Sequence, residues 1–143
     1  MLMTIGIRVA EEDKFTPIDE QMSRWVDSVL GGGFRHYGSR EVWRPAINLC
    51  EHADYYCLVA ELSGMQAGEI DLRVEDGTLF LTGERAMPSD PKVKGQAKLH
   101  LMEIDHGQFL REVKLPEDVD VDAIEATYRG GYLWVRIPRK KCV

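Results

Sequence analysis

A few groups of residues in this 143-residue chain invite a reading as metal ligands or catalysts. They are His36, His52, His100 and His106, the cysteines Cys50, Cys57 and Cys142, and the run Asp118, Asp120 and Asp122. Zinc sites draw Cys and His at short repeated spacings, and neither set shows one. The three aspartates alternate as in a calcium loop, but the Gly for its sharp turn is absent and Pro116-Glu117 precede them, so a solvated turn is expected. No serine sits in a Gly-x-Ser-x-Gly elbow. Gly31-Gly32-Gly33 follows a helical pattern instead of preceding one, the wrong order for a phosphate cradle. Cys50 and Cys57 fall in strand-like segments, where a free thiol behaves as a small hydrophobe, so reduced cysteines are expected. These patterns predict no enzyme, no cofactor and no metal.

Composition narrows the class further. Hydrophobic residues make up 44% and charged residues 29%, as in a globular protein of one domain. A net charge of -6 argues against nucleic acid as partner, and the basic cluster Arg139-Lys140-Lys141 reads as a solvated tail. No stretch reaches the length of a membrane span, and Met1 to Ala10 lack the basic start and apolar run of a signal peptide. A cytoplasmic location is the expectation.

The elements that must carry any function are mostly strands. Residues 1 to 15 are mixed and expected to be poorly ordered. Thr16-Pro17-Ile18-Asp19 combines a cap, a first-turn proline and an acidic residue at the positive helix end. Ile18, Met22, Trp25, Val26, Val29 and Leu30 then recur at helical spacing until Gly31. This amphipathic helix, about 17–30, either packs on its own domain or forms a sticky arm for partners. From Trp43 onward strands are predicted over 43–49, 55–62, 70–75, 78–82, 97–105 and 108–115, followed by a hairpin over 124–138 that turns at Gly130-Gly131. Eight short strands with Glu75-Asp76-Gly77-Thr78 as another tight turn predict an all-β, immunoglobulin-like β-sandwich. The polar stretch Glu84 to Lys98 is a long loop, a feature that is usually functional or flexible.

Several segments, in order, resemble the α-crystallin domain of the small heat-shock proteins. Tyr56 to Gly64 (YCLVAELSG) resembles its Y-x-x-x-A-E/D-L-P-G, with Ser63 in place of Pro. Glu69 to Arg85 (EIDLRVEDGTLFLTGER) resembles E-x-I-x-V-x-V-x-x-x-x-L-x-I-x-G-E-R. Gly107 to Arg111, closed by Leu115-Pro116, resembles the G-x-F-x-R…L-P block. Ile124 to Leu133 resembles I-x-A-x-Y-x-N-G-V-L, with Gly130 and Tyr132 as departures. The resemblance covers 43–139, leaving 1–42 as an N-terminal arm and 140–143 as a short tail.

That resemblance implies an ATP-independent holdase that binds unfolding client proteins and assembles with itself from dimers. It implies strand exchange between the long loop, at Leu99, His100, Leu101 and Met102, and the neighbour's first strand, at Trp43, Arg44, Ala46 and Ile47. It also implies a groove for clients or for an Ile-x-Ile/Val tail, with walls Ile70, Leu72 and Val74 against Ile124 and Ala126. Periodicity alone equally makes those five a plain core face. Ile104 stands where the family often has Arg, which removes one interfacial ion pair. Past Arg139 no Ile-x-Ile/Val follows, so small assemblies, or oligomers held by the helical arm, are expected over a large shell. The competing reading is a CS-domain-like co-chaperone or adaptor without holdase activity, a sandwich that lacks the exchanged strand.

Overall fold

A computed structural model describes residues 4–11, 14–16 and 42–141. Period-two alternation decides both layers. In the strand Tyr55–Glu61 (β6) Tyr56, Leu58 and Ala60 are buried while the odd positions are not. Leu133, Val135 and Ile137 repeat this in Tyr132–Pro138 (β11). The two strands pair antiparallel, Val135 opposite Leu58, which places both apolar rows on one face.

One sheet runs β3 (Lys14–Thr16), β2 (Val9–Glu11), β10 (Glu125–Arg129), β11, β6 and β5 (Ile47–Glu51). The other runs β1 (Thr4–Ile7), β7 (Ile70–Glu75), β8 (Thr78–Arg85), β9 (Gly107–Lys114) and β4 (Val42–Trp43). Their inner faces share one core that contains Leu58, Leu62, Ile70, Leu72, Leu79, Leu81, Phe109 and Leu133. Both expected hairpins form. Asp76 and Gly77 sit at φ 49° and 72°, and Gly130 and Gly131 at 58° and 86°, the left-handed pair that matches strand twist.

Three expectations need correction. Residues 4–11 and 14–16 are not loose: they form β1, β2 and β3, because Ile5, Ile7 and Val9 alternate and two open sheet edges accept them. Trp43 to Leu49 is not one strand. Pro45 has no N–H to pair, so the chain crosses at Arg44–Ala46 from β4 in one sheet to β5 in the other. Ala97 to Asp105 is not a strand within the single chain, since no sheet edge among the described residues receives it. The predicted helix at about 17–30, with Ile18, Met22, Trp25, Val26, Val29 and Leu30, and Cys142 both lie outside the described residues.

Gly83 shows how tightly the layers meet. A Cβ there would lie 2.5 Å from Cζ of Phe109 and 2.7 Å from the Glu69 carbonyl oxygen. Phe109, opposite Gly83 in the β8–β9 ladder, is fully buried and can shift little. Gly83→Ala is therefore expected to lower stability by about 1–3 kcal/mol. It should move the denaturant midpoint without changing the slope. An unchanged midpoint would show that the Phe109 ring yields freely.

Candidate functional site

β7 and β10 are the facing outer strands of the two sheets wherever the N-terminal strands are set aside. Ile70, Leu72 and Val74 lie on β7, Ile124 just precedes β10, and Ala126 lies on it; all five are buried. These positions lie on the two neighbouring edges, and within the single chain all five belong to the common core. What covers them is the chain itself. Ile5 pairs with Val74 and Ile7 with Leu72 in an antiparallel ladder. After Arg8 the chain changes sheets, and Val9 pairs with Ala126 in a parallel ladder. Ile7 and Val9 are buried in the common core.

Residues 4–11 thus form a strap across both edges, and Ile5-Gly6-Ile7-Arg8-Val9 contains two overlapping Ile-x-Ile/Val patterns. That alternation is the signal in the sequence that identifies these strands. An open cleft of 610 Å³ remains between the strap and β10, lined by Ile5, Ile7 and Ala10 on one side and Val121, Ile124 and Ala126 on the other.

A second surface lies at the far edge, around β4, β5 and the loop between β8 and β9. Within that loop Leu99, Leu101, Met102 and Ile104 are 58%, 74%, 56% and 59% exposed, and His100 is exposed beside them. Arg44 and Ala46 are exposed as well, and Ile47 is half-buried. Trp43 is half-buried; its Nε1 donates to the Gly107 carbonyl at 3.0 Å and its ring leans on Phe109 at 5.2 Å between centroids. The predicted exchange partners are therefore not joined to one another within one chain. Nearby, Arg111 Nε is buried without a hydrogen-bond partner among the described residues. Burial, and then the charge of Arg44, lowers the Arg111 pKa from its ordinary value.

Arg85 sets where this loop ends. Nε and Nη2 donate to the Asp105 carbonyl at 3.0 and 2.6 Å, and Nη1 donates to the Ser63 carbonyl at 3.2 Å. Its guanidinium also lies 4.4 Å over the Trp43 ring. Elsewhere the buried Tyr128 hydroxyl donates to the Leu62 carbonyl at 2.7 Å and accepts from the Met65 N–H at 3.2 Å, fixing the turn after β6. Asp118, expected in a solvated turn, accepts from the Tyr56 hydroxyl and pairs with Arg139 at 3.3 Å. Among the described residues no cluster of three or more His, Cys, Asp or Glu could hold a metal ion, and no helix is long and apolar enough to cross a membrane.

A two-sheet sandwich with a facing edge pair and a long loop between β8 and β9 is the architecture of an α-crystallin domain. Residues 48–143 match the model of the Hsp20/alpha crystallin family, and the chain belongs to that family. Small heat shock protein C4 of Rickettsia felis is 23% identical over 129 residues, 90% of this chain and 77% of that protein. The 17.8 kDa class I heat shock protein of Arabidopsis thaliana is 34% identical over 90 residues, 62% of this chain and 55% of that protein. A small heat-shock protein from Xylella fastidiosa, whose crystal structure reveals a distinct high order structure, superposes with TM-score 0.61 at 28% identity, covering 71% of this chain and 90% of that one.

Proposed function

We propose that this chain is an ATP-independent holdase, built on dimers, that covers the apolar segments of unfolding proteins and keeps them from aggregating. The observation that carries this reading is the loop row Leu99, Leu101, Met102 and Ile104, four large apolar side chains exposed together. Such a run is costly in water unless another surface covers it. A second copy fits. Alternating residues of this loop can add to the neighbour's edge at Ile47, while Glu103 and Asp105 supply carboxylates to the Arg44 and Arg111 pair. Backbone pairing of this kind satisfies open N–H and C=O groups on both partners. Clients then dock on the arm at 17–30 and, once residues 4–11 leave it, on the groove at Ile70, Leu72, Val74, Ile124 and Ala126. No observation favours the CS-domain adaptor reading.

One experiment tests this in two measurements on the same sample. Solution mass should be that of a dimer or a multiple of it. Light scattering from a heated client should fall at equimolar chaperone without nucleotide. A strict monomer, or unchanged scattering across several clients, would sink the proposal.

A further inference from the structure

We propose that Cys50 and Cys57 form a dithiol that small-molecule disulfides oxidise reversibly to a cross-strand disulfide between β5 and β6. The inference is independent of the chaperone reading. Cys50 stands directly opposite Cys57 in the antiparallel register of the two strands. Partners in register lie on one face of a sheet, and here it is the outer face, since the alternate residues Tyr56 and Leu58 point into the core. Cys50 is exposed and Cys57 half-exposed.

The ladder also fixes what kind of pair this is. His52 N–H donates to the Tyr55 carbonyl and Glu61 N–H to the Ala46 carbonyl. Hydrogen-bonded pairs recur every second residue, so 48/59 and 50/57 are bonded pairs between those two. Opposing Cα atoms in a bonded pair are about 5.5 Å apart, inside the span that a disulfide bridges. Their Cβ atoms stand wider than in a non-bonded pair, so closing the bond strains it, and strained exposed disulfides are the readily reduced ones. Reversibility follows from the site's own geometry.

The small disulfide is the oxidant. The Cys50 thiolate, having lost its proton to water, attacks one sulfur of the disulfide and releases one small thiolate. The Cys57 thiolate then attacks Sγ of Cys50 and releases the second. Two protein thiols are oxidised and one small disulfide is reduced to two thiols. Arg136 is the register partner of Cys57 on β11, and its charge favours the thiolate that the second attack requires. Burial, and then the neighbouring Cys50, push the Cys57 pKa above the ordinary thiol value, which leaves the exposed Cys50 as the point of entry.

Mass spectrometry of the full chain carrying Cys142→Ser tests this with oxidised glutathione as probe. This folded Cys142→Ser protein should lose two hydrogens and retain no glutathione. Digestion after Glu51, which separates the two cysteines, should give fragments joined until reductant is added. In the Cys57→Ser form one glutathione should persist on Cys50. Separate glutathione adducts on both cysteines, free thiols at both, or failure of Cys57→Ser to retain its adduct would overturn the proposal.

Discussion

Val9→Asp is expected to release the N-terminal strap and open the groove beneath it while the sandwich stays folded. Val9 is only 1% exposed and sits opposite Ala126. Burying its side chain is worth about 1.5–3 kcal/mol. A carboxylate in that place adds several kcal/mol of desolvation if it stays buried. The strap has a cheaper exit than global unfolding, because β5 to β11 keep their own partners when β1 and β2 leave. Hydrogen exchange should therefore speed up at the outer edges of Ile70–Glu75 and Glu125–Arg129 and stay slow in Tyr132–Pro138. A labelled peptide of residues 4–11 should then bind. If the strap is docked about 99% of the time in the unaltered chain, the peptide's apparent affinity should rise roughly 100-fold. Deletion of residues 1–11 should reproduce both changes and guards against a local effect of the aspartate. Exchange and binding unchanged in both forms would mean that residues 4–11 do not control the groove.

The strap also explains why the proposed groove was legible only in part. The walls Ile70, Leu72 and Val74 alternate within a strong strand bounded by Asp76-Gly77, and the Gly130-Gly131 hairpin locates their counterpart at Ile124 and Ala126. Local pattern suffices to place those strand faces, since turn chemistry and period two act within a few residues, but it does not separate a groove from a plain core face. The occupant was not legible, because Thr4 to Glu11 pairs with strands more than sixty residues away and changes sheets at Arg8. Neither the partner nor the crossing has a local signature. The same limit hid the cysteine pair: a spacing of seven residues says nothing until the β5–β6 register sets the two side by side.

The long loop shows the opposite difficulty. Leu99 and Leu101 alternate as a strand should, yet 97–105 is no strand in the single chain, because an extended segment needs a partner edge before its backbone groups can pair. The alternation describes what the segment can pair with. It does not describe what one chain by itself provides.

Arg85→Ala is expected to cost about 1.5–3 kcal/mol, since bonds to a charged donor are worth more than neutral ones. The sequence shows this residue as the close of a Gly-Glu-Arg run, with no hint of its partners. In the fold it is 7% exposed and ties three places that are far apart in sequence: the turn at Ser63, the loop end at Asp105 and the ring of Trp43. Loss of those ties should lower Tm by about 10 °C for a domain of this size. Arg85→Lys should recover little of it, because a single ammonium cannot fork between the Ser63 and Asp105 carbonyls or stack flat on Trp43. The exposed neighbour makes the control: Glu84→Ala should stay within about 0.5 kcal/mol of the unaltered chain. The effect also reaches assembly. Asp105 ends the loop that carries Leu99 and Leu101, and Trp43 begins the segment that leads into β5, so Arg85 holds both halves of the proposed exchange surface at one point. Arg85→Ala should therefore weaken the dimer at temperatures well below its own unfolding, read as a higher dissociation constant by analytical ultracentrifugation. Equal dimer strength with lowered Tm would confine Arg85 to folding and separate it from assembly.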